Sequence, residues 1–267
     1  MSTTNSDGEK AGANALLPLR VLAMDTSNTS CSCCLRDGGR TVASTFLSVG
    51  LKHSETFMPM VHEMMAHAAA SYESLGIFAC TVGPGSFTGI RIGVSATQAM
   101  AFAADKPAVP VSSLRALAYP LFDRKDTLAV AMIDARNARV FSAAYMNGAE
   151  VVPEGARPIG EFVALCETWR HSNAPDARIL TCGNASGMFP GAAKNQTQAY
   201  VTDMTDFHEI DPRVVATIGE ETFLSIPEAE RAEIFLPERL LPVYLARTAA
   251  ERNLARANED RPAACDR

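Results

Sequence analysis

Apolar residues run without interruption through Val21, Leu22, Ala23 and Met24 and stop at Asp25. A strand that is apolar at odd and even positions alike must be covered on both faces, so Leu19–Asp25 is expected at the centre of a sheet. Thr29–Arg36 and Arg40–Ser48 follow as strands across the turn Asp37-Gly38-Gly39. The period then changes. Phe57, Met60/Val61, Met64/Met65 and Ala68 recur at helical spacing, predicting a helix over Ser54–Ala70 with Ser54 as its N-cap. Ile77–Val82 reads as a second buried strand, Gly83–Gly89 as a glycine-rich loop, and Ile90–Asp105 as a helix closed by Lys106-Pro107.

The second half repeats this order. An apolar strand, Leu128–Ile133, ends in Asp134; Arg139–Met146 and Glu150–Val152 form a hairpin across Asn147-Gly148. A helix over Ile159–Arg170, a strand over Arg178–Cys182 and a glycine-bearing loop over Gly183–Gly187 complete the set. Repetition of element order predicts two α/β units side by side, each a mixed sheet with flanking helices. Asp25 and Asp134 would then lie at strand ends facing a cleft, where crossover folds place ligands. The expected organisation is a disordered tail over 1–18, a first lobe over 19–110, a second lobe over 111–210 and a C-terminal segment over 226–267 that frays from Arg256. The amphipathic helix 211–225 would complete the first lobe.

Composition narrows the class. With 267 residues, 47% of them hydrophobic and 20% charged, the chain can bury a full core and is neither collagen-like, wholly disordered nor disulfide-stapled. A net charge of -6 gives no overall attraction for phosphate backbones, so RNA would have to be held by a basic partner. Five of the seven cysteines sit among apolar residues, as buried thiols in a reducing compartment do. No run of 18 apolar residues exists, so no spanning helix and no membrane partner is expected. Met1–Ala15 lacks the basic start and apolar stretch of a signal peptide.

Gly83-Pro84-Gly85-Ser86-Phe87-Thr88-Gly89 is the sharpest local feature. Between a strand and a helix, its amides and the helix dipole can hold an anion, with Arg91 beside it; the alternative is a tight turn packed closely on its surroundings. It is neither the dinucleotide fingerprint nor a P-loop. Asp25-Thr26-Ser27 and Asp134-Ala135-Arg136 can position a cation or water for phosphoryl chemistry, or merely cap their turns. His62-Glu63-Met64-Met65-Ala66-His67 is not a zinc motif, because a second histidine five residues on lies about 140° away around a helix. Cys31-Ser32-Cys33-Cys34 falls inside a strand rather than at a redox turn, and Ser27, Ser54 and Ser86 lack the nucleophile-elbow pattern.

Two helices read as surfaces. Ser54–Ala70 carries Met58, Met60, Met64 and Met65, an arc that looks wider than one face, and Ile90–Asp105 is rich in small residues that let another helix approach. Met58, Val61, Met64, Met65, Gly93, Ala96, Thr97, Met100 and Ala103 are therefore the candidate partner-binding residues. Asp25, Thr26, Ser27, Gly83, Gly85, Ser86, Gly89 and Arg91 are the candidates for a weak, vestigial nucleotide or anion site.

Together, Val21-Leu22-Ala23-Met24-Asp25-Thr26-Ser27, His53-Ser54-Glu55, Gly83 through Gly93 (GPGSFTGIRIG), Asp134-Ala135-Arg136 and Pro242-Val243-Tyr244-Leu245 resemble the TsaB family. The resemblance runs from about Leu19 to Arg247 and is strongest over Leu19–Leu114. It implies a duplicated two-lobed α/β fold similar to the actin, heat-shock-chaperone and sugar-kinase ATPases, related to ribonuclease H. It further implies kinship with TsaD, which transfers threonylcarbamoyl from an adenylate to N6 of adenosine 37 in tRNAs reading ANN codons. TsaD holds a metal through an H-x-x-x-H pair, whereas His53, His62, His67, His171 and His208 include no pair at that spacing. The expected role is thus a non-catalytic cytoplasmic subunit that pairs through first-lobe helices, as a homodimer when alone or with a TsaD-type subunit. A TsaE-type ATPase joins that complex, and tRNA is met only through it. No metal or firm cofactor is implied beyond weak ATP or ADP at the complex interface. The competing reading is an independent nucleotide-dependent small-molecule kinase of the same fold, using Asp25, the glycine loop and Asp134.

Overall fold

A computed structural model describes residues 19–48, 50, 52–193, 201–204 and 208–245. The tail expected over 1–18 and the frayed end expected from Arg256 lie outside them.

Each half builds one five-stranded mixed sheet. In the first, β1 (Arg20–Asp25), β2 (Cys31–Asp37), β3 (Arg40–Leu47), β4 (Ile77–Gly83) and β5 (Ala108–Ser112) lie in the order β3-β2-β1-β4-β5. β1 is antiparallel to β2 and parallel to β4. In the second, β6 (Thr127–Asp134), β7 (Arg139–Met146), β8 (Ala149–Pro158), β9 (Arg178–Cys182) and β10 (Val201–Asp203) lie in the order β10-β9-β6-β7-β8. β6 is again antiparallel to the strand that follows it and parallel to β9. The two sheets share one topology, so the expected duplicated, two-lobed actin-like fold is observed.

Side-chain alternation along the lead strands separates the cores. Leu22 and Met24 face the layer formed by α1 (His53–His67) and α2 (Phe87–Ala104), while Val21 and Ala23 face the other lobe. β6 divides likewise. Ala129, Ala131 and Ile133 join the shared core, and Leu128, Val130 and Met132 pack toward α4 (Ile159–Asn173) and α5 (Met188–Ala192). Between the sheets lie the short α3 (Ser113–Ala118) and α6 (Pro212–Ser225), the latter crossing β1, β2, β4 and β5. Gly219 lets α6 settle there, since a Cβ on it would sit 2.5 Å from that of Ala79. A short α7 (Glu228–Ile234) follows, and the chain then returns across the first lobe, where Val243 N donates to Val82 O at 2.8 Å.

Several boundaries differ from expectation, and three of them show how the local sequence sets the end. α1 begins at His53 with no side-chain cap, so Ser54 stands inside the first turn. α2 begins at Phe87, within the predicted loop, because Ser86 Oγ accepts from Gly89 N and starts the helix there. β8 extends to Pro158 through Pro153, which an edge strand tolerates because its outer N–H needs no ladder partner.

Candidate functional site

Three chain segments meet at the carboxyl end of β1. Asp25, Thr26 and Ser27 are fully buried there. Asp25 Oδ1 accepts from Thr81 Oγ1 at 2.6 Å, Ser27 Oγ at 2.7 Å and Ser27 N at 3.1 Å. Burial raises the Asp25 pKa above the ordinary carboxylate value, and these hydrogen bonds offset part of that rise. Asp25 Oδ2 is buried without a hydrogen-bond partner.

The glycine loop rests directly on this turn. A Cβ on Gly85 would lie 2.2 Å from Ser27 O, one on Gly89 2.1 Å from Thr26 O, and one on Gly93 2.3 Å from Thr26 Oγ1. Ser86 N donates to Ser27 O at 2.7 Å, and Thr26 Oγ1 donates to Gly89 O at 2.7 Å. Gly83 has φ +115 and faces Val243 O, 2.7 Å from where its Cβ would stand. Gly83, Gly85 and Gly89 therefore admit the chain's own backbone, and Gly93 admits the Thr26 hydroxyl. Of the two readings of the loop, this is the tight turn packed closely on its surroundings: the bare faces of Gly83, Gly85 and Gly89 are occupied, and the amides of Ser86, Gly89 and Ile90 are already bonded within the chain. Arg91 is held by two aromatic side chains. Its guanidinium carbon lies 3.8 Å from the centre of the Phe87 ring, and its Nε donates to Tyr244 OH at 2.7 Å.

Asp134 is exposed, and its Oδ1 accepts from Arg136 N at 2.7 Å, the turn-capping use. No group of three His, Cys, Asp or Glu able to hold a metal occurs among the described residues. Ser186, His208 and Asp203 do gather in the second lobe. However, the serine and the carboxylate both meet Nε2 of His208, at 3.0 and 3.5 Å, whereas a proton relay needs opposite ring nitrogens.

The candidate partner residues divide. Val61, Met64, Met65, Gly93 and Thr97 are buried within the first lobe, Met64 so deeply that its sulfur lies 3.4 Å from Cys33 Sγ. In α1 the buried Phe57, Met60, Val61, Met64 and Met65 recur at i, i+3, i+4, i+7 and i+8, so all the α1 methionines but Met58 lie on a single inward face. Met58 and Ala103 are exposed, and Ala96 and Met100 are half-buried.

What does face outward is a stripe on α2, of which only Ala103 is among the candidate partner-binding residues. Phe87, Arg91, Ser95, Ala99, Phe102 and Ala103 follow one another at helical spacing and are all exposed, Phe102 by 77%. A shallow pocket lined by Phe87, Thr88, Arg91, Ile92 and Ser95 opens on this stripe. The returning C-terminal segment extends it: Tyr244 stacks on Phe87 at 5.2 Å, and Leu241, Val243 and Tyr244 are exposed by 62, 42 and 44%. Apart from Arg91 the patch is uncharged and largely apolar, the composition of a docking surface.

The sequence profile of the family described as "TsaD: tRNA N6-adenosine threonylcarbamoyltransferase" matches residues 48–210. A Bacillus subtilis protein named "tRNA threonylcarbamoyladenosine biosynthesis protein TsaB" is 33% identical over 239 residues, covering 87% of this chain and 96% of its own. Proteins of the same name from Haemophilus influenzae and Escherichia coli are 36 and 35% identical over 54 and 48% of this chain. The match spans 59 and 55% of their lengths. A Pseudomonas aeruginosa structure described as "an uncharacterized protein with similarity to peptidase YEAZ" superposes with a TM-score of 0.68 at 24% identity, over 85% of this chain and 100% of its own, and shares the fold. With a TsaB protein aligned along nearly its entire length, and a related profile covering more than half of the sequence, the chain belongs to the TsaB family.

Proposed function

We propose that this chain is the non-catalytic subunit of a tRNA N6-adenosine threonylcarbamoyltransferase complex, docking through the first lobe onto a TsaD-type catalytic subunit. The complex would act on adenosine 37 of tRNAs that read ANN codons, in the cytoplasm. A TsaE-type ATPase joins it, the chain forms a homodimer when alone, and tRNA is reached only through the complex. The observation that carries this reading is the exposed apolar stripe of α2, Phe87 to Ala103, with Tyr244 stacked at its upper end. Covering Phe102 alone contributes on the order of 1.5–3 kcal/mol to association. The net charge of -6 supports leaving the tRNA to other subunits, and the names of the curated relatives support the pathway.

The nucleotide enters this reading only as weak ATP or ADP at the subunit interface. An independent kinase would need Gly83, Gly85 and Gly89 facing a ligand, but they face Val243, Ser27 and Thr26.

The test is co-elution of the full chain with a TsaD-type subunit. Ala99→Glu and Phe102→Glu together should abolish the complex while leaving the melting temperature unchanged, since both side chains are exposed. A complex that survives in the folded double variant rejects the α2 stripe as the interface.

A further inference from the structure

The polar segment after β1 is held from both sides. On the second-lobe side, Ser30 Oγ donates to Glu209 at 2.6 Å, and Thr29 Oγ1 donates to the same carboxylate at 3.4 Å. Asn28 Oδ1 accepts from Asn184 Nδ2 at 3.0 Å. Asn184 is itself fixed, because its Oδ1 accepts from the backbone N of Asp134, the last residue of β6, at 2.8 Å. The carboxylate bond belongs to the stronger, charge-assisted class.

On the first-lobe side, the same segment carries the amino ends of both outer helices. Asn28 O accepts from Nε2 of His53, the first residue of α1, at 2.8 Å. Ser27 O accepts from the backbone N of Ser86, the N-cap of α2, at 2.7 Å. Thr26 O lies against Gly89, and Ser27 O against Gly85, with no Cβ between them. Contact of backbone on backbone cannot be relieved by turning a side chain, so a displacement of residues 26–30 moves the helix ends with it.

We infer that residues 26–30 act as a strap through which the second lobe sets the position of α1 and α2, with Glu209 and Asn184 as positioning residues for the docking face. The inference rests on the docking role of α2 proposed above. It gives the second lobe a task of its own: it aligns a surface to which it contributes no stripe residue. Loss of Glu209 and Asn184 leaves Ser30 Oγ and the Asn28 amide without their second-lobe partners and lets the first turns of both helices move.

The experiment compares the full-length parent, Glu209→Ala/Asn184→Ala and Glu209→Gln. One readout is calorimetric titration with the TsaD-type subunit; the other is amide hydrogen exchange of the free chain. The double variant should bind about tenfold more weakly and exchange faster over residues 53–58 and 87–92. Glu209→Gln keeps an acceptor for Ser30 Oγ and should return affinity to within about threefold of the parent. A folded double variant with parental affinity, or one whose faster exchange is confined to the second lobe, overturns the strap. The Ala99→Glu/Phe102→Glu variant separates the two ideas. If it too binds like the parent, the docking reading fails, and exchange at the two helix starts alone decides for or against the strap.

Discussion

Replacing Gly89 with alanine would place a methyl carbon 2.1 Å from Thr26 O, with His53 Cδ2 and Ser86 Cβ each 3.3 Å away. Carbon and carbonyl oxygen in contact stand about 3.3 Å apart, so α2 and the β1 turn would have to separate by about 1.2 Å. The obstacle is main chain, so no rotamer change removes it. Overpacking of this kind costs about 1–3 kcal/mol, and a backbone obstacle belongs at the upper end. Alanine in a helix recovers about 1 kcal/mol over glycine, leaving a net loss of about 2 kcal/mol. For a chain of this size that lowers the melting temperature by about 5 °C. Gly160 is the control. It lies in α4 with nothing within 4 Å of its Cβ position, so Gly160→Ala should stabilise by about 0.5 kcal/mol. Thermal melts and urea midpoints of both variants provide the assay. If Gly89→Ala unfolds with the parent, or Gly160→Ala falls as far, the glycines of the 83–93 segment are not there to admit Thr26 and Ser27, and the anion reading returns.

Other consequences follow from the same geometry. The folded chain keeps the Asp25 proton to higher pH than the unfolded chain, so its contribution to stability declines as pH rises through that window. Asp25→Asn lacks this decline, and its stability relative to the parent should increase from about pH 4 upward; parallel pH profiles would contradict the burial argument. Cys33 and Cys80 are pushed up to about 12 and Cys34 to about 11 by burial, so these thiols should resist iodoacetamide at about pH 8 until urea is added. Labelling of any of the three in the native chain would refute it. Arg91→Ala removes the contact with Phe87 and the bond to Tyr244 OH, an exposed pairing whose loss should cost only about 0.5–1 kcal/mol in stability. It should nevertheless raise proteolytic cleavage near Tyr244, and an unchanged cleavage pattern would show that the segment is fixed elsewhere.

The architecture was legible because its signals are local and repeated. Unbroken apolar runs at Val21–Met24 and Leu128–Ile133, short and bounded by turn residues, mark the central strands, and Asp37-Gly38-Gly39 and Asn147-Gly148 mark the hairpins β2–β3 and β7–β8. The proposed docking face was less so. Counting methionines in α1 suggested a surplus of apolar surface, but at 100° per residue Phe57, Met60, Val61, Met64 and Met65 close into one inward stripe, leaving Met58 outside. The same count applied to α2 sets Phe102 apart from Ile90, Val94 and Ala101, but it places Phe87, seven residues before Val94, with that buried face, and the exposure of Phe87 comes from its place in the first turn. The glycine loop was ambiguous for another reason. A loop that cradles phosphate and one that admits a neighbouring carbonyl need the same residue, and only Thr26 O and Ser27 O in place distinguish them. The bonds Asn28–Asn184 and Ser30–Glu209 join positions 156 and 179 residues apart, and no spacing rule connects them.

Reconstitution with purified components, unmodified tRNA, ATP and threonylcarbamoyl adenylate as the donor tests the central claim most directly. The account predicts no threonylcarbamoyladenosine from this chain alone, full formation when the TsaD-type subunit and the TsaE-type ATPase are added, and loss of formation with Ala99→Glu/Phe102→Glu but not with Asp25→Asn. Transfer to adenosine 37 by the isolated chain, or transfer abolished by Asp25→Asn in a complex that still assembles, would contradict it.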